Sequence, residues 1–108
     1  MLTTGIEMNG MQVFLDMEQL GNLVTTKVLI CKPRESSPIF NEMVSVILET
    51  ADGSLLKPTS FPAPGVLAET HLRGATAHAQ FTFDADTDVK LKRAIVFLRG
   101  NCAEFKFN

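Results

Sequence analysis

Tryptophan and tyrosine are missing from this chain of 108 residues, which holds only two cysteines and two histidines. Its charge is nearly balanced, ten Lys and Arg against twelve Asp and Glu. The basic residues are spread along the chain apart from a small cluster at 90 to 93. A polyanion normally needs a basic face, so no nucleic-acid partner is expected. No stretch approaches the roughly 18 to 20 consecutive apolar residues of a membrane helix. The opening "MLTTGIEMNGMQVFLDMEQ" lacks a basic n-region, an apolar core and a small-residue cleavage site, so no signal peptide is expected and the location expected is cytoplasmic. Cys31 and Cys102 are too few and too far apart for a zinc motif or a disulfide framework, and in a reducing compartment they are thiols. The seven glycines are scattered as turn glycines are, so there is no phosphate-binding loop.

What is present is alternation. Met11, Val13, Leu15 and Met17 alternate with mostly polar neighbours, and Val24, Thr26, Val28 and Ile30 do so again, which predicts two early strands. The cleanest half-buried strand places Ala75, Ala77, Ala79, Phe81 and Phe83 against Thr76, His78, Gln80 and Thr82. The segment 38–50 is ambiguous. Ser37 and Pro38 suit a helix start, and Ile39, Phe40, Met43, Val44, Ile47 and Leu48 match a helical stripe. The β-branched residues and the following Asp52-Gly53 favour a strand over 43–50 feeding a hairpin, with a short helix near 38–50 as the alternative. "KPTSFPAPG" carries three prolines and reads as a loop or an edge crossing. "RAIVFLR" is apolar on both faces, as a strand covered on both sides is, and "CAEFKFN" follows a turn at Gly100-Asn101.

Seven to eight short strands with turn signals between them predict an all-β fold, an antiparallel β-sandwich, Ig-like or related, as one domain over 1–108 with 1–9 as a flexible lead-in. "Ig-like" is meant only as general architecture, because the buried tryptophan and tyrosine corner of immunoglobulin domains are lacking. The order of an Asp-Gly hairpin, a Pro-Gly loop and an outgoing strand resembles many small sandwich domains in pattern and points to no particular family.

Three clusters are candidates for chemistry. A two-residue Gly74-Ala75 turn would pair His71 with His78 across a hairpin, with Glu69 on the same face as a third metal ligand. The simpler reading is two exposed polar side chains. Asp84, Asp86 and Asp88 alternate like the start of a calcium loop, but an EF-hand counted from Asp84 requires Gly and Glu where this chain has Val89 and Ile95. That favours a solvated acidic loop. No cysteine stands beside a histidine in the sequence, so no catalytic residue is assigned and no cofactor is expected. The apolar strand offers a candidate interface at Ile95, Phe97, Val96 and Leu98, since only one of its sides can face its own core. The expectation is therefore a non-enzymatic binding or assembly module that forms a homodimer through a sheet face or exposed edge. A metal-binding protein and a small enzyme with an unrecognised site are the alternatives.

Overall fold

The computed structural model describes residues 1–32, 38–70, 75–85 and 89–107. Among the described residues nine strands run in chain order: β1 (Ile6–Met8), β2 (Met11–Leu20), β3 (Leu23–Lys32), β4 (Val44–Thr50), β5 (Leu55–Leu56), β6 (Ala68–Thr70), β7 (Ala75–Asp84), β8 (Leu91–Leu98) and β9 (Asn101–Lys106). They form two antiparallel sheets, one ordered β1-β2-β3-β7-β6 and the other β5-β4-β8-β9. The all-β sandwich expected from alternation is what forms, and the segment 38–50 contains only a 3-10 turn at Asn41–Met43 before β4. Among the described residues no helix is long and apolar enough to cross a membrane.

The core lies between the sheets and is made by one parity of each strand. Val13 and Leu15 from β2, Val24, Val28 and Ile30 from β3, and Ala77, Ala79, Phe81 and Phe83 from β7 face inward. Across from them stand Val44, Val46 and Leu48 from β4, Ala94, Val96 and Leu98 from β8, and Ala103 and Phe105 from β9. Each large side chain so buried contributes roughly 1.5 to 3 kcal/mol relative to exposure. One side of the sandwich is closed by a short crossing in which Leu67 donates to the carbonyl of Ile39 and Asn41 donates to that of Gly65. Ile39 and Leu67 thereby enter the core, and Phe40 and Val66, bridged to each other, remain exposed. The proline-rich stretch is pinned rather than free, because Thr59 donates to Thr82 and Thr82 to Ser60 along the edge of β7.

Hairpin chemistry sets the registers. Met8 faces Met11 and Leu98 faces Asn101, leaving Asn9-Gly10 and Arg99-Gly100 as two-residue turns in which both residues have positive φ. That is the signature of the type I′ turn, whose twist matches the flanking strands. The second turn therefore lies one residue earlier than Gly100-Asn101, with Asn101 already in β9. Asp52-Gly53 also makes its hairpin, with Thr50 donating to the carbonyl of Ser54 and β5 pairing on β4.

The first nine residues, expected as a flexible lead-in, instead extend the five-stranded sheet. Met17 donates to the Met1 carbonyl, Thr3 donates to that of Leu15, and the Leu15 amide donates to Thr3 Oγ1. Leu2 faces Asp16 but Ile6 faces Val13, so the N-terminal strand carries one extra residue, a β-bulge of the kind that protects sheet edges.

Candidate functional site

The outer face of the four-stranded sheet is where sequence parity and structure meet. Pairing across β5, β4, β8 and β9 stacks side chains in rows: Leu55, Glu49, Arg93 and Lys106 in one; Ile47, Ile95 and Glu104 in the next; Ser45, Phe97 and Cys102 in the third. The last two rows put Ile47, Ile95 and Phe97 side by side, each partly exposed, and Leu55 at the edge is 60% exposed. Ile95 and Phe97 thus stand where the candidate interface needs them. Val96 and Leu98 do not: they are 0% and 1% exposed, packed into the core, because alternation sends them to the opposite face.

The first row is an electrostatic clamp. Arg93 Nε donates to Glu49 Oε2 at 2.7 Å and Nη1 lies 3.1 Å from Glu104 Oε2, so one guanidinium ties β4, β8 and β9 together. Lys92 Nζ adds a longer contact to Glu49 Oε1 at 3.7 Å. A β-bulge between Glu49 and Thr50 lets Lys92 and Arg93 both reach Glu49. The hydrogen bonds from Arg93 to Glu49 and then Glu104 hold its proton more firmly than in a free guanidinium. The face is therefore divided into an apolar end and a salt-bridged end.

The β6–β7 register differs from the one that a Gly74-Ala75 turn would set. Ala75 is the first residue of β7, and His78 faces Ala68, with Glu69 facing Ala77 and Thr70 facing Thr76. The register is three residues away from the one that would oppose His78 to His71, and His71 lies outside the described residues. Glu69 turns to the inner face, where its carboxylate sits 2.9 Å from Lys32 Nζ in a largely buried ion pair. His78 and Glu69 consequently leave β7 and β6 on opposite faces. Asp84 ends β7 opposite Leu23, and Asp86 and Asp88 lie outside the described residues. Among the described residues no group of three or more His, Cys, Asp or Glu is placed to hold a metal ion.

One juxtaposition was not legible in the sequence. On the outer face of the five-stranded sheet Leu29 faces His78 and Cys31 faces Thr76, which makes Cys31 and His78 diagonal neighbours. Diagonal positions are about 7 to 8 Å apart between backbones, and the Cys31 thiol makes its contact with Thr76 Oγ1 at 3.5 Å. The signal that would have found it is the β3–β7 register, which joins residues 43 to 61 apart in sequence. Cys102 is exposed on β9 beside Phe97.

An open cavity of about 680 Å³ is lined by Met17, Val89, Leu91 and Phe107 together with Lys90 and Lys92. No protein-family model matches this chain, and no curated protein or solved structure matches it either.

Proposed function

We propose that this protein is a non-enzymatic binding and assembly module that associates with further copies of itself through the outer face of its four-stranded sheet. The observation that carries the reading is the contiguous patch of Ile47, Ile95 and Phe97 facing away from a core that Val96 and Leu98 already fill. Exposed apolar patches on sheets commonly mark contact surfaces, and the Glu49–Arg93–Glu104 clamp beside this one holds the three strands in a fixed frame. A rigid, half-apolar face with a polar margin is the anatomy of a protein interface.

The test is the solution mass by light scattering. The wild type runs as a multiple of 11.8 kDa, and Phe97→Glu halves that mass while the circular dichroism spectrum stays β-rich. A wild type that remains a monomer at high micromolar concentration removes the reading. Ile47→Glu provides a second probe of the same patch should Phe97→Glu unfold.

A further inference from the structure

β9 is the edge of its sheet and, among the described residues, pairs only with β8. Its turn closes on Leu98 and Asn101, and Phe107 donates to the Lys92 carbonyl at 2.9 Å, so the odd-numbered residues aim their backbone groups at β8. Cys102, Glu104 and Lys106 therefore aim theirs at the open edge, and among the described residues no backbone hydrogen bond from β8 or any other segment meets them there. That edge borders a trough of about 280 Å³ between the N-terminal stretch at Met1, Thr3, Thr4 and Ile6 and the segment Glu104 to Phe107. The other edges are guarded differently: β5 and β6 are two and three residues long, and β1 has three residues and is preceded by the bulge between Leu2 and Ile6.

We propose that β9 pairs with β9 of a second copy, antiparallel, about a two-fold axis between the two Phe105 residues, joining two four-stranded sheets into one of eight. The register follows from two constraints. Backbone parity requires even-numbered residues to form the hydrogen-bonded pairs, which also keeps Phe105 on the inner face of both sheets. Charge then selects among the allowed registers. With Phe105 opposite Phe105, Glu104 of each chain faces Lys106 of the other, twice by symmetry. A shift of two one way puts Glu104 opposite Glu104, and like charges directly opposed destabilise a pair. A further shift the same way puts Glu104 opposite Cys102 and leaves Lys106 opposite Gly100. Lys106 is 81% exposed and has only a 3.9 Å contact to its own Glu104, so it is available to a partner. The strand is self-complementary, which is why the occupant is a second copy. This contact is distinct from the outer face, and the two together build an assembly with an even number of chains.

The experiment is sedimentation velocity on the full chain over a micromolar concentration series, with far-ultraviolet circular dichroism as the folding check. Lys106→Glu and Glu104→Lys each weaken the edge contact about 10- to 100-fold by setting like charges opposite each other. The double variant Glu104→Lys/Lys106→Glu restores it to within a few-fold, since the interchain pairs are regenerated with signs exchanged and the carboxylate moved to position 106 stands opposite Arg93, which loses its partner at 104. Amide hydrogen exchange at Cys102, Glu104 and Lys106 slows as concentration rises, and at Ala103 and Phe105 it is unchanged. Phe97→Glu leaves this contact in place. Association that neither single variant weakens, or that the double variant fails to restore, overturns the pairing. Association that Phe97→Glu abolishes outright overturns it as well, while leaving the outer-face reading standing.

Discussion

Removing the Glu69 carboxylate should cost far more than removing the Lys32 ammonium that it holds. The Lys32 side chain is 3% exposed and Glu69 is 20% exposed, with 2.9 Å between Nζ and Oε1. At that separation and an effective dielectric constant of about 20, the attraction is about 6 kcal/mol. Desolvating each ion costs several kcal/mol, so the intact pair adds little against an apolar replacement. The asymmetry appears when one partner is deleted. Glu69→Gln leaves a charged lysine in a site with almost no solvent, and the expected loss is about 3 kcal/mol, the lower end for a broken buried pair because the amide oxygen still accepts a hydrogen bond. Lys32→Met keeps the apolar stem in place and leaves a carboxylate that solvent reaches, for an expected loss near 1 kcal/mol. Urea unfolding followed by circular dichroism reads both. With a slope of about 1.5 kcal/mol/M, the Gln variant moves the midpoint down by about 2 M and the Met variant by less than about 1 M. Equal losses in the two variants, or a loss under about 1 kcal/mol for Glu69→Gln, would refute the reasoning by showing that water reaches the lysine.

Two further tests concern the edges and turns. Gly5 lies under the Phe14 ring, where an added Cβ would stand 2.8 Å from Cε1 and Cζ and 2.9 Å from Gln12 Oε1, so Gly5→Ala is expected to cost about 1 kcal/mol, and little or nothing when Phe14 and Gln12 are both already alanine; a full cost in that background contradicts the contacts. Asp52 titrates below its ordinary value of 3.8, held down by the Thr50 hydroxyl first and then by the Ser54 amide at 3.0 Å. A depressed carboxyl contributes stability that is complete above 3.8 and is lost as pH falls through the folded value, so carboxyl NMR should place the Asp52 midpoint below 3.8 and Thr50→Val should raise it. A midpoint indifferent to that substitution would remove Thr50 as the cause.

Where side-chain periodicity decided structure, the sequence was legible. β7 is the clearest case: its odd positions from Ala77 to Phe83 are buried and Thr76, His78, Gln80 and Thr82 face out, as strict alternation predicts. The N-terminal strand carries no such long pattern, since in "LTTGIEMN" only Ile6 and Met8 pack on the core and backbone bonds to β2 hold the preceding residues. The β6–β7 register was misread for a different reason. A local rule saw Gly74-Ala75 and closed the tightest hairpin, but the observed register puts Glu69 on the inner face within reach of Lys32 on β3, two strands away. Contacts across three strands outweigh the turn preference of two residues, and no short window of sequence contains them.

The choice of face on β8 shows how charge settles what hydrophobicity leaves open. Ile95 and Phe97 are larger than Ala94 and Val96, and bulk alone would send them inward. Arg93 shares their parity, however, and the registers tie that parity to Glu49 on β4 and to Glu104 and Lys106 on β9. Burying Phe97 would have required burying four charges, each of which loses its hydration in the core. The opposite parity carries Leu48, Ala94 and Phe105 in one row and Val46, Val96 and Ala103 in another, where small residues sit beside large ones and no polar group is desolvated. Ile47, Ile95 and Phe97 face outward because their neighbours in sequence and in register are ionic. A sheet settled this way keeps Ile47, Ile95 and Phe97 partly exposed on its outer face, and that apolar patch is the surface on which the proposed self-association depends.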